Sequence, residues 1–204
     1  GVRVVAGIDV DKACRFPFEA NHPGARFLEQ DVSAVTGEQL NAVWTPGVIR
    51  LLAGCAPCQP FSSYTRGKGE NHAKWGMLEQ FARLVNESEP DLVTMENVPG
   101  LQRQEPFQYF LKTLKQCGFH VVYGVLNAAE YGVPQQRKRL VLLASKHGPV
   151  SLPTPTHPGK EHWITVRKAI GNLPKLQQGR ACKDDSIHRA AGLSPLNLKR
   201  IRAS

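Results

Sequence analysis

The chain has 204 residues, of which 41% are hydrophobic and 21% are charged, so it can bury the core of one domain with at most an appendage. No apolar run approaches the length that spans a bilayer, and the beginning of the sequence lacks the layout of a signal peptide, so we expect neither a membrane protein nor a secreted one. Five cysteines without regular spacing argue against a disulfide scaffold and favour a cytoplasmic location.

The charge balance favours a polyanionic partner. Lys and Arg number 26 against 17 Asp and Glu, which gives a net charge of +9. A basic domain of this kind commonly binds DNA or RNA. The composition leaves open the alternative that the basic residues form a solvated surface that binds no partner.

Apolar runs alternate with stretches of helical spacing over the first part of the chain. We expect strands at Val2–Ile8, Ala25–Leu28, Asp91–Met95, His120–Asn127 and Leu140–Ala144, and a further buried strand that opens at Val48. Helices are expected at Lys12–Asn21, Gly37–Trp44, Trp75–Glu87 and Phe107–Cys117, the last closed by Gly118. This alternation predicts a doubly wound α/β fold.

The composition changes after this alternation ends. From Lys146 to Trp163 the chain is rich in Pro, His, Thr and Gly and has no periodicity, which is typical of a linker. A short helical piece is expected at Val166–Leu173, and Ser194-Pro195 is typical of the start of another helix. We therefore expect one domain over residues 1–145 and a linker with appended elements over 146–204.

Acidic residues lie at the ends of the first two expected strands. Asp9 is a candidate for holding a ribose diol, because an acid at such a strand end has that role in nucleotide-binding folds. Asp31 falls just past the second strand, from where a side chain can reach an adenine amino group. Asp11 is more typical of the N-cap of the next helix.

The strand that opens at Val48 ends in a loop with the sequence Cys55-Ala56-Pro57-Cys58. In one interpretation Cys58 is a nucleophile on a loop that the prolines stiffen. In a second, Cys55 and Cys58 form a dithiol redox pair. In a third, both are small buried hydrophobic residues. The loop by itself leaves all three open.

Charged residues follow two later strands. Glu96 comes directly after Asp91–Met95, where partial removal from water would let a carboxylate hold or share a proton near neutral pH; the alternative is a structural acid paired with an arginine or an amide. Arg137 and Arg139 lie on one face of the next strand because strand side chains alternate. Two guanidinium groups there suit an anionic substrate, although a solvated basic turn is the alternative.

Three of these strand ends together carry a family pattern. Pro57-Cys58-Gln59, Glu96-Asn97-Val98 and Gln135-Gln136-Arg137-Lys138-Arg139 match the Pro-Cys-Gln, Glu-Asn-Val and Gln-x-Arg-x-Arg motifs of the cytosine-5 DNA methyltransferase family. Each motif alone is weak, but their joint occurrence in the family's order is specific. From its first residue to its last, the chain resembles this family, which implies a Rossmann-like S-adenosylmethionine-dependent methyltransferase fold.

The resemblance implies a covalent mechanism on a cytosine that is flipped out of duplex DNA. Cys58 would add to ring carbon 6, and Glu96 would hydrogen-bond to ring nitrogen 3 and protonate it. The nucleophilic carbon 5 would then take a methyl group from S-adenosylmethionine. Arg139 would hold the carbonyl group of the base, and Arg137 would support the site and a phosphate.

The same resemblance implies a set of binding residues. Those for the cofactor are Asp9, Val10, Asp31 and Pro57, and those for DNA are Gln59, Ser62, Asn97 and Gln135. In the family the nucleophile acts without a resolving partner, which disfavours the dithiol and makes Cys55 a buried residue before the loop. No metal site is expected, because no second Cys/His pair has ligand spacing.

The chain also departs from the family pattern. The family begins with a central strand that carries a Phe-x-Gly-x-Gly cofactor loop and includes a target-recognition region, and neither is found in this sequence. The resemblance therefore predicts a fragment, or one half of a split enzyme that a complementing chain completes. By themselves these residues are expected to fold poorly and to bind S-adenosylmethionine weakly, because buried backbone groups would lack ladder partners.

Two alternative functions stay open beside the DNA methyltransferase. The first is a tRNA cytosine-5 methyltransferase, which the intact Pro57-Cys58-Gln59 disfavours. The second is a truncated relative without catalysis that binds nucleic acid or a partner chain, which the absent cofactor loop favours.

Overall fold

The computed structural model describes residues 1–56 and 76–203. The predicted residues Pro57, Cys58, Gln59 and Ser62 lie outside these ranges, as does the polar stretch expected at Ser62–Lys74. The predictions made for them are therefore not addressed by the fold.

The described residues form six strands in two sheets: β1 (Ala6–Asp9), β2 (Arg26–Glu29), β3 (Leu51–Gly54), β4 (Leu92–Asn97), β5 (His120–Asn127) and β6 (Lys138–Ser145). Strands β1 and β2 pair in parallel as a two-stranded sheet. The other four follow the order β3-β4-β6-β5, in which β3 and β4 are parallel. Strand β6 runs antiparallel to both of its neighbours.

Helices alternate with the strands up to β5 and recur near the end of the chain. They are α1 (Arg15–Asn21), α2 (Gly37–Val43), α3 (Gly76–Ser88), α4 (Glu105–Gln116), α5 (Val166–Ile170) and α6 (Pro195–Ala203). Short 3-10 turns precede α1 at Lys12–Cys14 and α2 at Val32–Ala34. The alternating α/β organisation expected from the sequence is confirmed. In the described ranges, no helix has the length and apolar character needed to cross a membrane.

Local signals explain where several helices begin and end. Thr36 and Gln39 form a capping box at α2, since each side chain accepts the backbone N–H of the other residue. Gly118 has φ +82° and ends α4, as the sequence predicts. Asp11 caps the first turn by accepting the N–H of Ala13 at 2.9 Å, which confirms its expected N-cap role.

Some element boundaries differ from the sequence-based expectation. Val48 and Ile49 do not belong to a buried strand, because they are 52% and 65% exposed and β3 begins at Leu51. Strand β3 lies at the edge of its sheet, so it has only one strand beside it among those described. Glu96 is the fifth residue of β4 rather than the first residue after it, because pairing with β6 extends the ladder to Asn97.

The main core lies between the four-stranded sheet and the pair of helices α3 and α4. Phe81 of α3 stacks on Phe110 of α4 with ring centroids 5.2 Å apart. Val93 and Met95 of β4 are 1% exposed and contribute to the same cluster. Complete burial of side chains of this size stabilises the fold by about 1.5 to 3 kcal/mol each.

A second cluster connects the two sheets. Val35, Leu40 and Leu84 are buried between α2 and α3, and both Ile8 of β1 and Leu52 of β3 pack against them. The two sheets therefore adjoin one helical layer. Among the described strands, β1 and β3 each have a single neighbour.

The sheet ends at Ser145, and the described residues that follow contain α5, α6 and one isolated antiparallel bridge between Ala181 and Arg189. This segment contacts the turn after β5, where Tyr131 donates from its hydroxyl to the carbonyl oxygen of Pro153 at 2.9 Å. The division into residues 1–145 and 146–204 stays a prediction.

Candidate active site

The carboxyl end of β4 lies between β3 and β6, and the registers of these strands decide which side chains meet there. Cys55 directly follows the last paired residue of β3, which places it beside Glu96. On the other side Val141 of β6 pairs with Glu96. Arg139 lies two residues before Val141 and therefore on the same face as Glu96, as a diagonal neighbour.

Glu96 and Arg139 form an ion pair at this strand end. The Nε of Arg139 lies 2.6 Å from Oε1 of Glu96, and the two side chains are 25% and 41% exposed, respectively. A charge-assisted hydrogen bond of this length fixes the orientation of the carboxylate. The structure thus joins the second and third sequence motifs in one contact.

Cys55 contacts the other oxygen of the same carboxylate. Its thiol donates to Oε2 of Glu96 at 3.1 Å. The expectation that Cys55 is a buried residue is wrong, since it lies beyond the end of an edge strand and is exposed. Sequence reasoning missed the contact, because which residue stands opposite Glu96 depends on the register between two distant strands.

The pKa of the Cys55 thiol is raised to about 11. Shielding of the sulfur from water is the largest cause, followed by the hydrogen bond to Glu96 and the negative charge of that residue, while Arg139 and Arg137 act in the opposite direction. The thiol therefore stays protonated near neutral pH. In that state Cys55 is a hydrogen-bond donor and a poor nucleophile.

Asn97 closes the strand and holds the chain that leads to residue 57. Its side chain is 4% exposed, and its Nδ2 donates to the carbonyl oxygen of Ala56 at 2.8 Å. Its Oδ1 accepts the N–H of Val98 at 2.8 Å. Both polar ends of the amide are thus used within the protein, and the expected contact of Asn97 with DNA stays a prediction.

Gln135 and Arg137 lie in the exposed turn before β6. The N–H of Arg137 donates to the carbonyl oxygen of Gln135 at 3.0 Å, and the N–H of Ala128 donates to that of Arg137 at 2.9 Å. These backbone bonds fix the turn. The side chains of both residues are exposed and available to a ligand, which is compatible with their expected roles.

The acidic candidates for cofactor binding lie at one edge of the two-stranded sheet. Asp9 is the last residue of β1, and Asp31 lies two residues beyond β2, which runs parallel to β1. Oδ1 of Asp9 accepts the N–H of Asp11 at 2.9 Å. Val10, next to Asp9, is 63% exposed. A carboxylate and an exposed apolar side chain thus lie side by side at this edge.

Asp31 caps the turn Val32–Ala34. Its Oδ1 accepts both the hydroxyl of Ser33 at 2.6 Å and the N–H of Ser33 at 2.8 Å. The pKa of Asp31 is lowered, first by the hydrogen bond from the Ser33 hydroxyl and then by that from its N–H, so the carboxylate is ionised. Exposed carboxylates at these two strand ends fit a cofactor that presents hydroxyl and amino donors.

A metal site is not formed by the residues that the structure describes, which contain no group of three His, Cys, Asp or Glu side chains that could hold an ion.

Arg83 of α3 is a further residue that sequence reasoning missed. Its spacing of four from Glu87 indicates only a surface ion pair, but its guanidinium reaches the backbone around Val32.

The fold is Rossmann-like, as expected from the sequence. A prophage-encoded protein of E. coli, described as a DNA modification methyltransferase, superimposes with a TM-score of 0.69 at 22% identity, over 89% of this chain and 52% of that chain. The second and third motifs lie at the end of the sheet where this fold carries its chemistry.

The chain belongs to the C-5 cytosine-specific DNA methylase family, whose model matches residues 1–200. The type II methylase M.HgiDII of Herpetosiphon aurantiacus is 44% identical over 207 residues, which cover 100% of this chain and 58% of that protein. The type II methyltransferase M.XorII of Xanthomonas oryzae pv. oryzae is 33% identical over 184 residues, or 87% of this chain and 42% of that protein. The chain thus spans about half the length of these curated relatives.

Proposed function

We propose that this chain is the catalytic core of a DNA cytosine-5 methyltransferase. The observation that carries the proposal is the contact of Glu96 with Arg139 at 2.6 Å, at a strand end directly beside the strand that leads to Cys58. Two of the three family motifs are thereby joined in one contact. The membership in the C-5 cytosine-specific DNA methylase family supports the same reading.

In the proposed reaction a cytosine is flipped from the duplex and enters the space beside Glu96. The thiolate of Cys58 adds to ring carbon 6, and the acid form of Glu96 gives its proton to ring nitrogen 3, so that electron density collects at carbon 5. When carbon 5 has taken a methyl group, ring nitrogen 3 returns its proton to Glu96. Carbon 5 then loses its hydrogen as a proton, and the thiolate of Cys58 leaves carbon 6. Arg139 orients Glu96 and donates to the carbonyl oxygen of the base. Arg137 stands on the exposed turn where a phosphate can reach it.

S-adenosylmethionine, when bound, supplies the methyl group that carbon 5 accepts. The fit rests on the two carboxylates of the small sheet: Asp9 would hold the ribose hydroxyls and Asp31 the adenine amino group. Val10 offers an apolar surface beside them. Pro57 would lie next to the cofactor, as the sequence resemblance implies.

DNA is the proposed partner, and the distribution of charge supports a role for the segment after the sheet. Residues 146–204 contain eleven Lys and Arg against three Asp and Glu, whereas residues 1–145 contain fifteen against fourteen. Almost the whole net charge of +9 is thus found in the last part of the chain. Such a segment can neutralise backbone phosphates without reading bases.

A salt titration of duplex binding tests this role in the full-length protein. Replacing Lys199, Arg200 and Arg202 on α6 by Gln should reduce the slope of log affinity against log salt, by about 0.9 for each phosphate that the protein no longer neutralises. The matched control replaces Arg103, Lys112 and Lys115, which are also exposed but lie near or on α4. Equal effects of the two triple variants would contradict the proposed role of the segment.

We further propose that one more strand joins the two-stranded and the four-stranded sheet. Among the described strands, β1 and β3 each have a single neighbour, and both pack on the cluster around Leu84, so a strand between them would join the two sheets into one. That strand can belong to a complementing chain. If tight S-adenosylmethionine binding and a cooperative calorimetric melt were found for residues 1–204 alone, no complementing strand would be needed.

Covalent trapping on duplex DNA that carries 5-fluorocytosine tests the catalytic proposal. In the full-length protein Cys58→Ser should abolish the trapped complex, because only Cys58 occupies the cysteine position of the Pro-Cys-Gln motif. The matched variant Cys55→Ser keeps a hydroxyl that can donate to Glu96 and should still be trapped. Equal loss in both variants would favour the dithiol instead, and trapping only on tRNA would favour an RNA methyltransferase.

A further inference from the structure

Arg83 of α3 holds the backbone of the turn that follows β2. Its Nη2 lies 3.1 Å from the carbonyl oxygen of Val32, 3.4 Å from that of Ser33 and 2.9 Å from that of Val35. The carbonyl oxygen of Val32 also accepts the N–H of Val35 at 3.3 Å within the turn. Carbonyl groups at the end of a helical turn lack such a partner further along the turn. A planar guanidinium with a fixed fork of donors can satisfy several of them at once.

Glu87 completes the clamp from the next turn of α3. Both of its carboxylate oxygens accept from Nη1 of Arg83, at 2.8 and 2.9 Å, and Oε2 also accepts the N–H of Gly37 at 2.9 Å. The hydrogen bonds from Arg83 and then from Gly37 lower the pKa of Glu87, so the pair is charged. A Cβ at residue 37 would lie 2.5 Å from that of Glu87, which shows how closely the backbones approach.

The clamped turn is the one that presents Asp31. Asp31 caps it through Ser33, so the position of its carboxylate depends on the turn being held.

We propose that Arg83 is a positioning residue that, by holding the carbonyl groups of Val32 and Val35, sets Asp31 against the adenine amino group of the cofactor. This inference rests on the proposed function, since it requires Asp31 to bind the cofactor. Arg83 itself touches neither cofactor nor substrate in this proposal. Replacing Arg83 should therefore weaken the binding of ligands that carry the adenine amino group, whereas a general loss of folding would weaken all ligands alike.

Calorimetric titration of the full-length protein with two ligands tests the inference. One is S-adenosylhomocysteine, and the other is its analogue in which hydrogen replaces the adenine 6-amino group. Arg83→Gln should weaken S-adenosylhomocysteine binding by about tenfold and analogue binding by less than about threefold, because only the first ligand uses Asp31 as a charged acceptor. Arg83→Lys should be intermediate, since an ammonium group cannot reproduce the fork.

Arg15→Gln is the matched control. Arg15 pairs with Glu29 on the surface near the same sheet at 3.3 Å, and the change should leave both affinities as in the wild type. The inference would be overturned if Arg83→Gln weakened the binding of both ligands equally, so that the ratio of the two affinities stayed as in the wild type. If Arg83→Gln does not fold, the same ratio measured for Arg83→Lys decides.

Asp31→Ala separates this inference from the proposed function. If Asp31→Ala keeps the wild-type discrimination between the two ligands, the proposed cofactor contact fails, and the positioning role fails with it. If Asp31→Ala removes the discrimination while the Arg83 variants keep it, only the positioning role fails.

Discussion

Arg139 on β6 and Glu96 on β4 are diagonal neighbours across an antiparallel ladder, and their side chains meet at 2.6 Å. The contact exists because β6 lies beside β4 and not at the edge of the sheet. One oxygen of Glu96 is thus held by a guanidinium and the other by the thiol of Cys55. A carboxylate held from two sides is oriented before a substrate arrives, as general acid–base catalysis requires of its group.

Glu96→Gln should slow methyl transfer by about two to four orders of magnitude, the usual range for a lost general acid. The amide can still accept from Arg139, so folding and duplex binding should be retained. Single-turnover methyl transfer, with thermal melts as a control, measures the effect. If the variant failed to fold while Arg139→Gln folded normally, Glu96 would be a structural acid.

The thiol of Cys55 should react slowly with iodoacetamide. With a pKa of about 11 in place of 9.0, the thiolate fraction of Cys55 at pH 8 is about a hundredfold smaller. A more basic thiolate is also more nucleophilic, which raises the reaction rate again by about tenfold. The net rate should be about tenfold below that of the urea-unfolded protein, measured by peptide mass spectrometry. Glu96→Gln should raise the rate, because the negative charge beside the thiol is removed. A native rate equal to the unfolded rate would contradict this environment.

Asp91→Asn should destabilise the protein by about 1 to 2 kcal/mol at pH 7, because the carboxylate accepts the N–H and Nε of Arg50 at 2.8 and 3.4 Å at the start of β3. The pKa of Asp91 is lowered chiefly by the backbone N–H of Arg50. An acid whose pKa is lower in the folded protein than in the unfolded protein stabilises the fold at pH values above its unfolded-state pKa, which is about 4 for Asp. This stabilisation is lost as the pH falls through the folded-state pKa.

Urea unfolding of wild type and Asp91→Asn at pH 7 and pH 3 measures this dependence. The difference in unfolding free energy should be largest at pH 7 and should shrink at pH 3. Asp184→Asn, an exposed acid in the segment after the sheet, should change stability little at either pH. A difference for Asp91→Asn that is the same at both pH values would mean that its charge has no part in holding Arg50.

Glu89→Gly should stabilise the protein by about 0.5 to 1 kcal/mol. Glu89 follows α3 with φ +46°, a left-handed conformation that costs a residue with a Cβ but not glycine. The carbonyl oxygen of Glu89, which accepts from Nη2 of Arg50 at 2.6 Å, is kept in the variant. Thermal melts compare it with Glu89→Ala, which removes the same carboxylate but keeps the Cβ; equal stabilisation by both would point to the charge and not to the backbone.

Periodicity and short-range signals determined most of the elements. Asp11 caps its turn and Gly118 ends α4 as the sequence predicts, because capping depends on residues only a few positions apart. The motifs around Glu96 and Arg139 also identified the family that the comparison supports. These features are local, so they can be read without knowing the fold.

Strand order and register were decided only by the tertiary structure. Insertion of antiparallel β6 between β4 and β5 brings Arg139 to Glu96, and the parallel register of β3 brings Cys55 to the same carboxylate. Val48 precedes β3 and is exposed, against the expectation of a buried strand. Likewise the guanidinium of Arg83 reaches backbone about fifty residues earlier. Each of these contacts depends on pairing between segments far apart in sequence, which no local pattern specifies.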